Sequence, residues 1–328
     1  MPPVNKPVKL AHVALAAGVS EATASLALRK VGRVAPDTRD RVIAAARRLG
    51  YSPDARARSL RVGASPVVGV LADVEVMLGS PERPRLFWPR LLWGLTSYLS
   101  DHGVGVCTVT NPDQDFVRKL AVDAFLVIGI PDLPDLSLGA LDHVPTLLMG
   151  KLPKPGRPPV AYHDLRGMTM TALDHLVDAG AQRPGLLTYG ELYGISEKSY
   201  RAYRIWCQDK DLDPIIIDSS DNAVVSQRIA QAQASGMDAI YGAIGGPERG
   251  LEVIGAAGLE VPNDLLLAVL GEGAVERLLR PTVTTLSLEG RASGEALGEA
   301  MLALLRGESL EPLKLPWTLA VRESSVPR

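Results

Sequence analysis

The chain of 328 residues has few of the residues that build covalently linked or metal-held folds. Its two cysteines, Cys107 and Cys207, lie far apart, and neither belongs to a CxxC pair. This pattern excludes a disulfide framework and a cysteine metal site, and it fits a reducing cytoplasm. The five histidines also lack the spacing of metal ligands, so we expect no metal site and no cofactor.

Long apolar runs are absent as well. No run reaches the ~18 residues that a membrane-spanning helix needs. The first twenty residues contain no apolar core followed by a cleavage site, which a secretory signal would require. We therefore expect no membrane contact, no export by a standard signal and a cytoplasmic location.

The short motifs of common enzyme classes are also missing. The sequence contains no GxGxxG, GxxxxGK[ST], GxSxG or HExxH. The glycine-dense segment 242–246 follows no phosphate-binding fingerprint and is more typical of a tight loop. His163 and Asp164 resemble an acid–base pair, but sequence neighbours on a strand point to opposite faces. We expect that the chain is not an enzyme and has no catalytic residues.

The composition is that of an ordinary globular protein, but the charge is distributed unevenly along the chain. Apolar residues make up 46% and charged residues 22%, which excludes wholesale disorder, and the length allows two or three domains. Residues 1–65 hold twelve Lys or Arg and four Asp or Glu, a net charge of +8. The remaining residues, 66–328, hold 23 basic and 33 acidic residues, a net charge of −10. A basic head on an acidic body favours a polyanionic partner for the head, and an ordinary solvated basic surface is the alternative.

The head predicts three short helices, at 10–17, 21–29 and 36–49. Gly18 breaks the first helix, Ser20 is a good N-cap for the second, and proline and glycine flank the third. Two short helices joined by a tight turn that contains glycine form a helix-turn-helix. The residues expected to face inward are Leu10, Val13, Ala14, Ala17, Ala24, Ala27, Leu28, Val42, Ile43, Ala46 and Leu49.

The segment 54–61 has helical propensity but little apolar surface to bury, and 62–66 resembles a linker. The segment 54–61 is either a plain surface helix or a helix that forms only against a partner. Beyond it, strand-like runs alternate with helical runs, which predicts parallel sheets covered on both faces. The predicted strands are 67–72, 105–109, 125–130, 146–150, 185–189, 215–218, 239–244 and 265–270, and the predicted helices are 88–101, 115–120, 165–179, 197–209, 224–234, 247–257 and 291–306. Nearly 260 residues of this pattern favour two lobes, with a ligand site between them.

Three strings resemble the lactose-repressor (LacI/GalR) family of bacterial transcription regulators. VALAAGVSEATAS at 13–25 resembles the family's VAxxAGVSxxTVS. VAPDTRDRVIAAARRLGYSPDARARSLR at 34–61 resembles V[SA]xxTRxxVxxAxxxLgYxPnxxARxLr. RPTVTTLSL at 280–288 stands where the family has PpLTTv. Their order and spacing fit, so the resemblance covers essentially the whole chain.

The resemblance implies an α/β fold class with an all-α helix-turn-helix head, a hinge helix at about 54–61 and a two-lobed body like a type I periplasmic binding protein. It implies a head domain at 1–65 and an effector-binding and dimerisation domain at 66–328. We expect lobe 1 at about 66–162 plus 290–315 and lobe 2 at about 163–289 plus 316–328. The implied partners are a second copy of the chain and a pseudo-palindromic operator in double-stranded DNA.

For the head, the resemblance implies that the second helix enters the major groove. It assigns base or phosphate contacts to Ser20, Glu21, Ala22, Thr23, Ser25, Leu26 and Arg29. Leu60 stands where the family's hinge leucine wedges into the minor groove, with Arg58 and Arg61 beside it. The family usually has a basic residue at the position of Leu26, so we expect an operator sequence different from the usual one.

For the body, the resemblance implies an effector site for a sugar or a related metabolite. The residues assigned to it are Phe87, Trp88, Asp164, Tyr193, Arg201 and Glu272. Polar residues that the family uses are replaced by Gly245-Gly246 and by Gly271-Glu272-Gly273. Either the effector is not an ordinary sugar, or no small effector binds, or other residues take over. The residues that would take over are Glu191, Tyr193, Glu248 and Glu272.

We therefore expect a transcription regulator, more specifically a repressor, whose DNA binding an effector in the interlobe cleft modulates. An effector-independent or protein-triggered regulator of the same fold is the first alternative. A solute-binding receptor, or an enzyme of sugar or nucleotide metabolism, is the alternative from another class. The basic head and the missing export signal oppose a receptor, and the missing catalytic motifs oppose an enzyme.

Overall fold

A computed structural model describes most of the chain. The described residues are 10–29, 34–49, 65–72, 86–110, 114–128, 141, 144–150, 158–188, 195–221, 224–243, 246–273 and 275–326. The predicted hinge helix at 54–61 lies outside these ranges, so its prediction stays open.

The head consists of three helices, which confirms the sequence prediction at each of them. They are α1 (Leu10–Ala17), α2 (Glu21–Arg29) and α3 (Pro36–Leu49). Gly18 makes the turn between α1 and α2 with a φ of 65°, a conformation that glycine adopts without strain. The small core of the head contains Val13, Ala14, Ala17, Ala24, Ala27, Val42, Ala45 and Ala46. Ala45 was not predicted to face inward, whereas Ile43 and Leu49, which were, are only half-buried.

The body contains two six-stranded sheets. The first has the order β11-β5-β4-β3-β1-β2, and its neighbouring strands are parallel to each other. Its strands are β1 (Val67–Ala72), β2 (Gly105–Thr110), β3 (Ala124–Ile128), β4 (Thr146–Met149), β5 (Val160–Tyr162) and β11 (Leu313–Lys314). The helices α4 (Phe87–Asp101) and α5 (Gln114–Lys119) connect its first three strands.

The second sheet has the order β12-β10-β9-β8-β6-β7, with β12 antiparallel to β10 and the other pairs parallel. Its strands are β6 (Pro184–Thr188), β7 (Ile216–Asp218), β8 (Ala239–Gly242), β9 (Leu266–Gly271), β10 (Thr284–Ser287) and β12 (Thr318–Ala320). The helices α6 (Leu165–Asp178), α7 (Ile195–Asp209), α8 (Val225–Ala234) and α9 (Pro247–Ala256) alternate with its strands. The helix α10 (Gly290–Leu305) follows β10, and a 3₁₀ turn (Glu323–Ser325) follows β12.

The chain passes three times from one sheet to the other, at 163–164, 288–289 and 315–317. We call these three segments together the lobe junction. The predicted alternation of strands and helices is confirmed, and each predicted body helix and strand is present within a few residues. The short strands β5, β10, β11 and β12 were not predicted. The proposed boundaries of the two domains and of the two lobes stay a prediction.

Helix α10 packs on α4 with the two backbones in close contact. A Cβ added to Gly94 of α4 would overlap the backbone of Arg291, and one added to Gly294 of α10 would overlap the backbone of Leu91. Gly298, one turn further along α10, lies against the ring of Tyr98. The absence of side chains at these glycines therefore allows two helices from distant parts of the sequence to cover the first sheet together.

Within the described part of the chain, no single helix is long and apolar enough to span a membrane. Helices α1 and α2 reach that length and apolarity only when counted together, and they are bent by 97° relative to each other.

Candidate functional site

The first turn of α2 is built around Ser20. Its Oγ accepts a hydrogen bond from the backbone N–H of Thr23 at 3.1 Å and lies 2.8 Å from the Thr23 hydroxyl. Ser20 therefore caps α2, as the sequence predicted, and satisfies one of the free N–H groups at the helix start. This contact also orients the two hydroxyls on the exposed end of the helix.

The predicted DNA-contact residues of α2 lie on its outer side. Glu21 and Ala22 are exposed, and Thr23, Ser25 and Leu26 are half-buried. Ala24 and Ala27 are fully buried, and because both are small, α2 lies close to the other two helices. The predicted contact residues thus lie away from the two buried alanines, and Arg29 is the last residue of the helix. The three hinge residues Arg58, Leu60 and Arg61 lie outside the described residues.

The first two segments of the lobe junction are joined by His163. Its Nε2 lies 3.0 Å from the carbonyl oxygen of Leu288 and 3.2 Å from the Ser293 hydroxyl. Because a carbonyl only accepts, Nε2 carries the proton. Burial lowers the pKa of His163 to about 4, so the imidazole is neutral at physiological pH. His163 follows β5 rather than lying in it, so the opposite-faces argument from the sequence does not apply to it.

The residues on either side of the third segment are joined to the other two segments by polar side chains. Asp164 caps α6 through the N–H of Gly167 at 2.9 Å and accepts a 2.7 Å hydrogen bond from Lys314 Nζ. The Lys314 ammonium lowers the pKa of Asp164 below its ordinary value. The Thr318 hydroxyl donates to Glu289 at 2.6 Å. Asp164, predicted to bind an effector, thus already connects the first junction segment to the end of β11, and its effector role stays a prediction.

Two aromatic residues predicted for the effector site begin α4. The rings of Phe87 and Trp88 meet edge to face, with centroids 4.9 Å apart. Phe87 is buried and also meets the His163 ring edge to face at 5.6 Å. Trp88 is only half-buried, so of the two it has the more accessible ring.

Arg201 and Lys198 project from α7. Arg201 is 73% exposed and forms an ion pair with Glu197 at 2.6 Å. Lys198 Nζ donates to the carbonyl oxygen of Gly150, at the end of β4 in the other sheet, at 3.2 Å. Burial lowers the pKa of Lys198. Arg201 is therefore accessible to a ligand, while Lys198 bridges the lobes. Tyr193 and Glu191 lie outside the described residues.

Glu272 lies at the end of β9 with its side chain only 5% exposed. Its carboxylate accepts the N–H of Gly290 at 2.9 Å and lies 3.0 Å from Arg90 Nε. Burial raises the pKa of Glu272 to about 7. Arg90, Lys198, Lys314 and His163 were not predicted as site residues, because their partners are far away in the sequence and no local pattern announces them.

A pocket of about 420 Å³ lies on the outer side of α7, lined by Arg204, Ile205, Gln208, Leu212 and Pro214. None of the residues predicted to bind an effector lines it. Among the described residues, no three His, Cys, Asp or Glu side chains come together as possible metal ligands.

Both the head and the body resemble known protein families. Residues 9–54 match the model for bacterial regulatory proteins of the lacI family, and residues 173–325 match a periplasmic binding protein-like domain. The ribose operon repressor of Bacillus subtilis is 24% identical over 330 residues, covering 95% of this chain and 97% of that protein.

Two solved structures show the same fold over nearly the whole chain. The lac repressor dimer bound to operator and the anti-inducer ONPF is 21% identical, with a TM-score of 0.67, and covers 98% of this chain and 100% of that chain. The complex of the transcriptional regulator CelR with cellobiose is also 21% identical, with a TM-score of 0.63, and covers 97% of this chain and 99% of that chain.

Proposed function

The chain belongs to the lacI family of bacterial regulatory proteins, and from this premise we propose that it represses transcription by binding a specific operator. It is a DNA-binding regulator and not an enzyme. The observation that carries the proposal is the capped, outward-facing start of α2 on a head with a net charge of +8. A positive helix-turn-helix domain of this form suits a major groove flanked by phosphates.

The head binds as one of a pair. Two copies of the chain place two α2 helices in successive major grooves of a pseudo-palindromic site. Glu21, Ala22 and Leu26 face base edges, where the acidic Glu21 prefers a cytosine amino group. Phosphate contacts come from the hydroxyl residues Ser20, Thr23 and Ser25. Arg29, at the end of the helix, reaches the backbone or a guanine edge.

The hinge makes a second set of contacts with the operator. Leu60 of each copy inserts into the minor groove at the operator centre, and Arg58 and Arg61 contact the neighbouring phosphates. Unstacking the central base step costs a few kcal/mol, which the better fit of both heads offsets. The segment 54–61 forms a helix only when the DNA is present, since it has little apolar surface to bury otherwise.

The body supplies the regulation. A sugar or a related metabolite binds between the lobes, near Trp88 and Arg201, and the guanidinium bridges adjacent hydroxyls or binds a carboxylate. Phe87, Asp164, Tyr193 and Glu272 belong to the same proposed site. The effector acts by preferring one arrangement of the lobes, which changes the distance between the two hinges. Such a protein acts on DNA in the cytoplasm.

The test is selection of bound DNA from genomic fragments by the purified chain. We expect one pseudo-palindromic sequence to be enriched, and genes beside it to indicate the class of effector. Affinity for that site should fall by about 10³-fold or more between 50 and 200 mM salt, as the release of several counterions requires. The same duplex with its half-sites scrambled is the control. A monomeric chain that enriches no sequence would refute the proposal.

A further inference from the structure

The carboxylate of Glu272 lies where three elements from both lobes meet. Glu272 directly follows β9 (Leu266–Gly271), a strand of the second sheet. Its oxygens accept the N–H of Gly290 at 2.9 and 3.1 Å, at the start of α10, and one oxygen lies 3.0 Å from Arg90 Nε of α4. Both α4 and α10 lie against the first sheet. One buried acidic side chain therefore connects the strand end of one lobe to two helices of the other.

The groups around Glu272 have opposing effects on the ionisation of its carboxylate. Arg90 on α4 and the N–H of Gly290 favour the ionised carboxylate. Glu289, just before α10, and Glu276, in the turn after β9, disfavour it. Next to Glu272, Arg277 Nε donates to the carbonyl of Gly273 at 2.9 Å, and Arg322 Nη2 lies 3.6 Å from the position that a Cβ of that glycine would take. Among these influences burial is the largest, and it raises the pKa of Glu272 to about 7.

We propose that Glu272 is a positioning residue that sets the arrangement of the two lobes, and that a proton is a regulatory ligand of this contact. The proposal rests on the proposed function, in which the arrangement of the lobes controls the hinges. It gives Glu272 a positioning role in addition to the effector contact proposed above.

The direction of the effect follows from linkage. A carboxyl group buried between the lobes binds its proton more tightly than the same group exposed to water. Acid therefore stabilises the described arrangement, and a rise in pH through about 7 favours an arrangement in which water reaches the carboxylate. The contacts of Gly290 and Arg90 then loosen, and the two lobes become freer to move relative to each other.

Hydrogen exchange measured by mass spectrometry on the full chain, without DNA, tests this. Peptides covering 86–91 and 288–294 are followed between pH 6 and pH 8, with rates corrected for the intrinsic effect of pH on exchange. In the wild type we expect their protection to fall by about threefold or more as the pH rises. In Glu272→Gln, which keeps the shape without the charge, we expect the same protection at both pH values.

Two further variants should move the midpoint of the pH-dependent loss of protection in opposite directions. Arg90→Met removes a charge that favours the carboxylate, so the midpoint should rise. Glu289→Gln removes a charge that disfavours the carboxylate, so the midpoint should fall. These variants also keep the proposal testable if Glu272→Gln does not fold.

A wild type without pH-dependent protection would overturn the proposal. So would an equal loss of protection in Glu272→Gln, or midpoints that stay in place in Arg90→Met and Glu289→Gln. Because no DNA is present, failure here would leave the proposed DNA binding intact, and failure of DNA binding would leave this result interpretable.

Discussion

His163 and Leu288 join the first two segments of the lobe junction, with the imidazole Nε2 3.0 Å from the carbonyl oxygen across 125 residues of sequence. The Ser293 hydroxyl donates to the same carbonyl oxygen at 3.0 Å. One carbonyl thus receives two hydrogen bonds, one from the start of α10 and one from the residue after β5. The neutral imidazole suits this buried place, since an imidazolium ion there would lose its hydration.

His163→Gln should reduce the loss of stability in acid. The pKa of His163 falls from 6.5 to about 4 on folding, so the folded state binds fewer protons than the unfolded state between these values. The free energy of unfolding therefore decreases as the pH falls through this window, by at most about 1.4 kcal/mol per pH unit from this group. Urea unfolding of wild type and variant between pH 7 and pH 5 measures the two slopes.

His102→Gln is the matched control, because His102 is exposed at the end of α4. This variant removes an exposed imidazole rather than one that is bonded at the lobe junction. Equal slopes for the wild type and His163→Gln would show that His163 does not control this part of the acid response.

Gly294→Ala should destabilise the body by about 1–3 kcal/mol or more, since the new methyl group overlaps the backbone of Leu91. A backbone cannot move aside as a flexible side chain does. Gly255→Ala in α9 is the control, because its Cβ meets nothing within 4 Å. That substitution should stabilise by up to about 1 kcal/mol through helix propensity. Thermal unfolding measures both, and similar shifts for the two variants would contradict the close helix contact.

Arg201→Ala should abolish the response to the effector without changing DNA affinity in its absence. The lost ion pair with Glu197 is exposed and costs less than about 1 kcal/mol, so the fold should survive. Ligand binding should weaken by about tenfold or more, because a charge-assisted hydrogen bond is lost. Calorimetry with a ligand found by screening sugars and related metabolites measures this.

Arg204→Ala, one turn further along α7, should leave ligand binding unchanged, since Arg204 contacts the ring and hydroxyl of Tyr200. If Arg201→Ala loses DNA binding as well, Arg201 has a structural role.

Leu60→Ala should weaken operator binding more than tenfold while non-specific binding changes by no more than about twofold, because the wedge acts only at a deformable centre. Leu60→Met keeps an apolar wedge and should retain most of the specific affinity. Gel-shift titration with operator and scrambled duplexes separates the two effects. Equal losses on both duplexes in Leu60→Ala would refute the wedge.

The head helices could be predicted from the sequence because local signals mark several of their ends, such as Gly18 after α1 and Ser20 before α2. The strand β10 shows why others could not. It contains Thr284, Thr285 and Ser287, yet all three are buried. Their hydroxyls bond to groups that are distant in the sequence, such as the carbonyl of Arg322 for Thr284. A polar strand becomes a core strand only when the fold supplies these partners, which no local pattern reveals.

In the candidate site, too, the sequence predicts the local contacts and misses those between residues that are far apart in the chain. The cap of α2 by Ser20 is a local contact over three residues, and the sequence predicted it. The contact of Arg90 with Glu272 joins two residues about 180 positions apart in the chain, and only the folding of the two lobes against each other creates it. Arg201 lies between these cases. The family resemblance located it in the sequence, but only the structure shows its exposure and its ion pair with Glu197.

Both sheets recruit a strand from the same late stretch of the chain, β11 for the first and β12 for the second. On the ribosome, the first sheet cannot be completed until synthesis has passed residue 314, and the second until it has passed residue 320. The nascent first lobe meanwhile exposes the face of α4 that α10 later covers, and this surface is open to aggregation until α10 has been made. The two lobes therefore mature together rather than in the order in which they are translated.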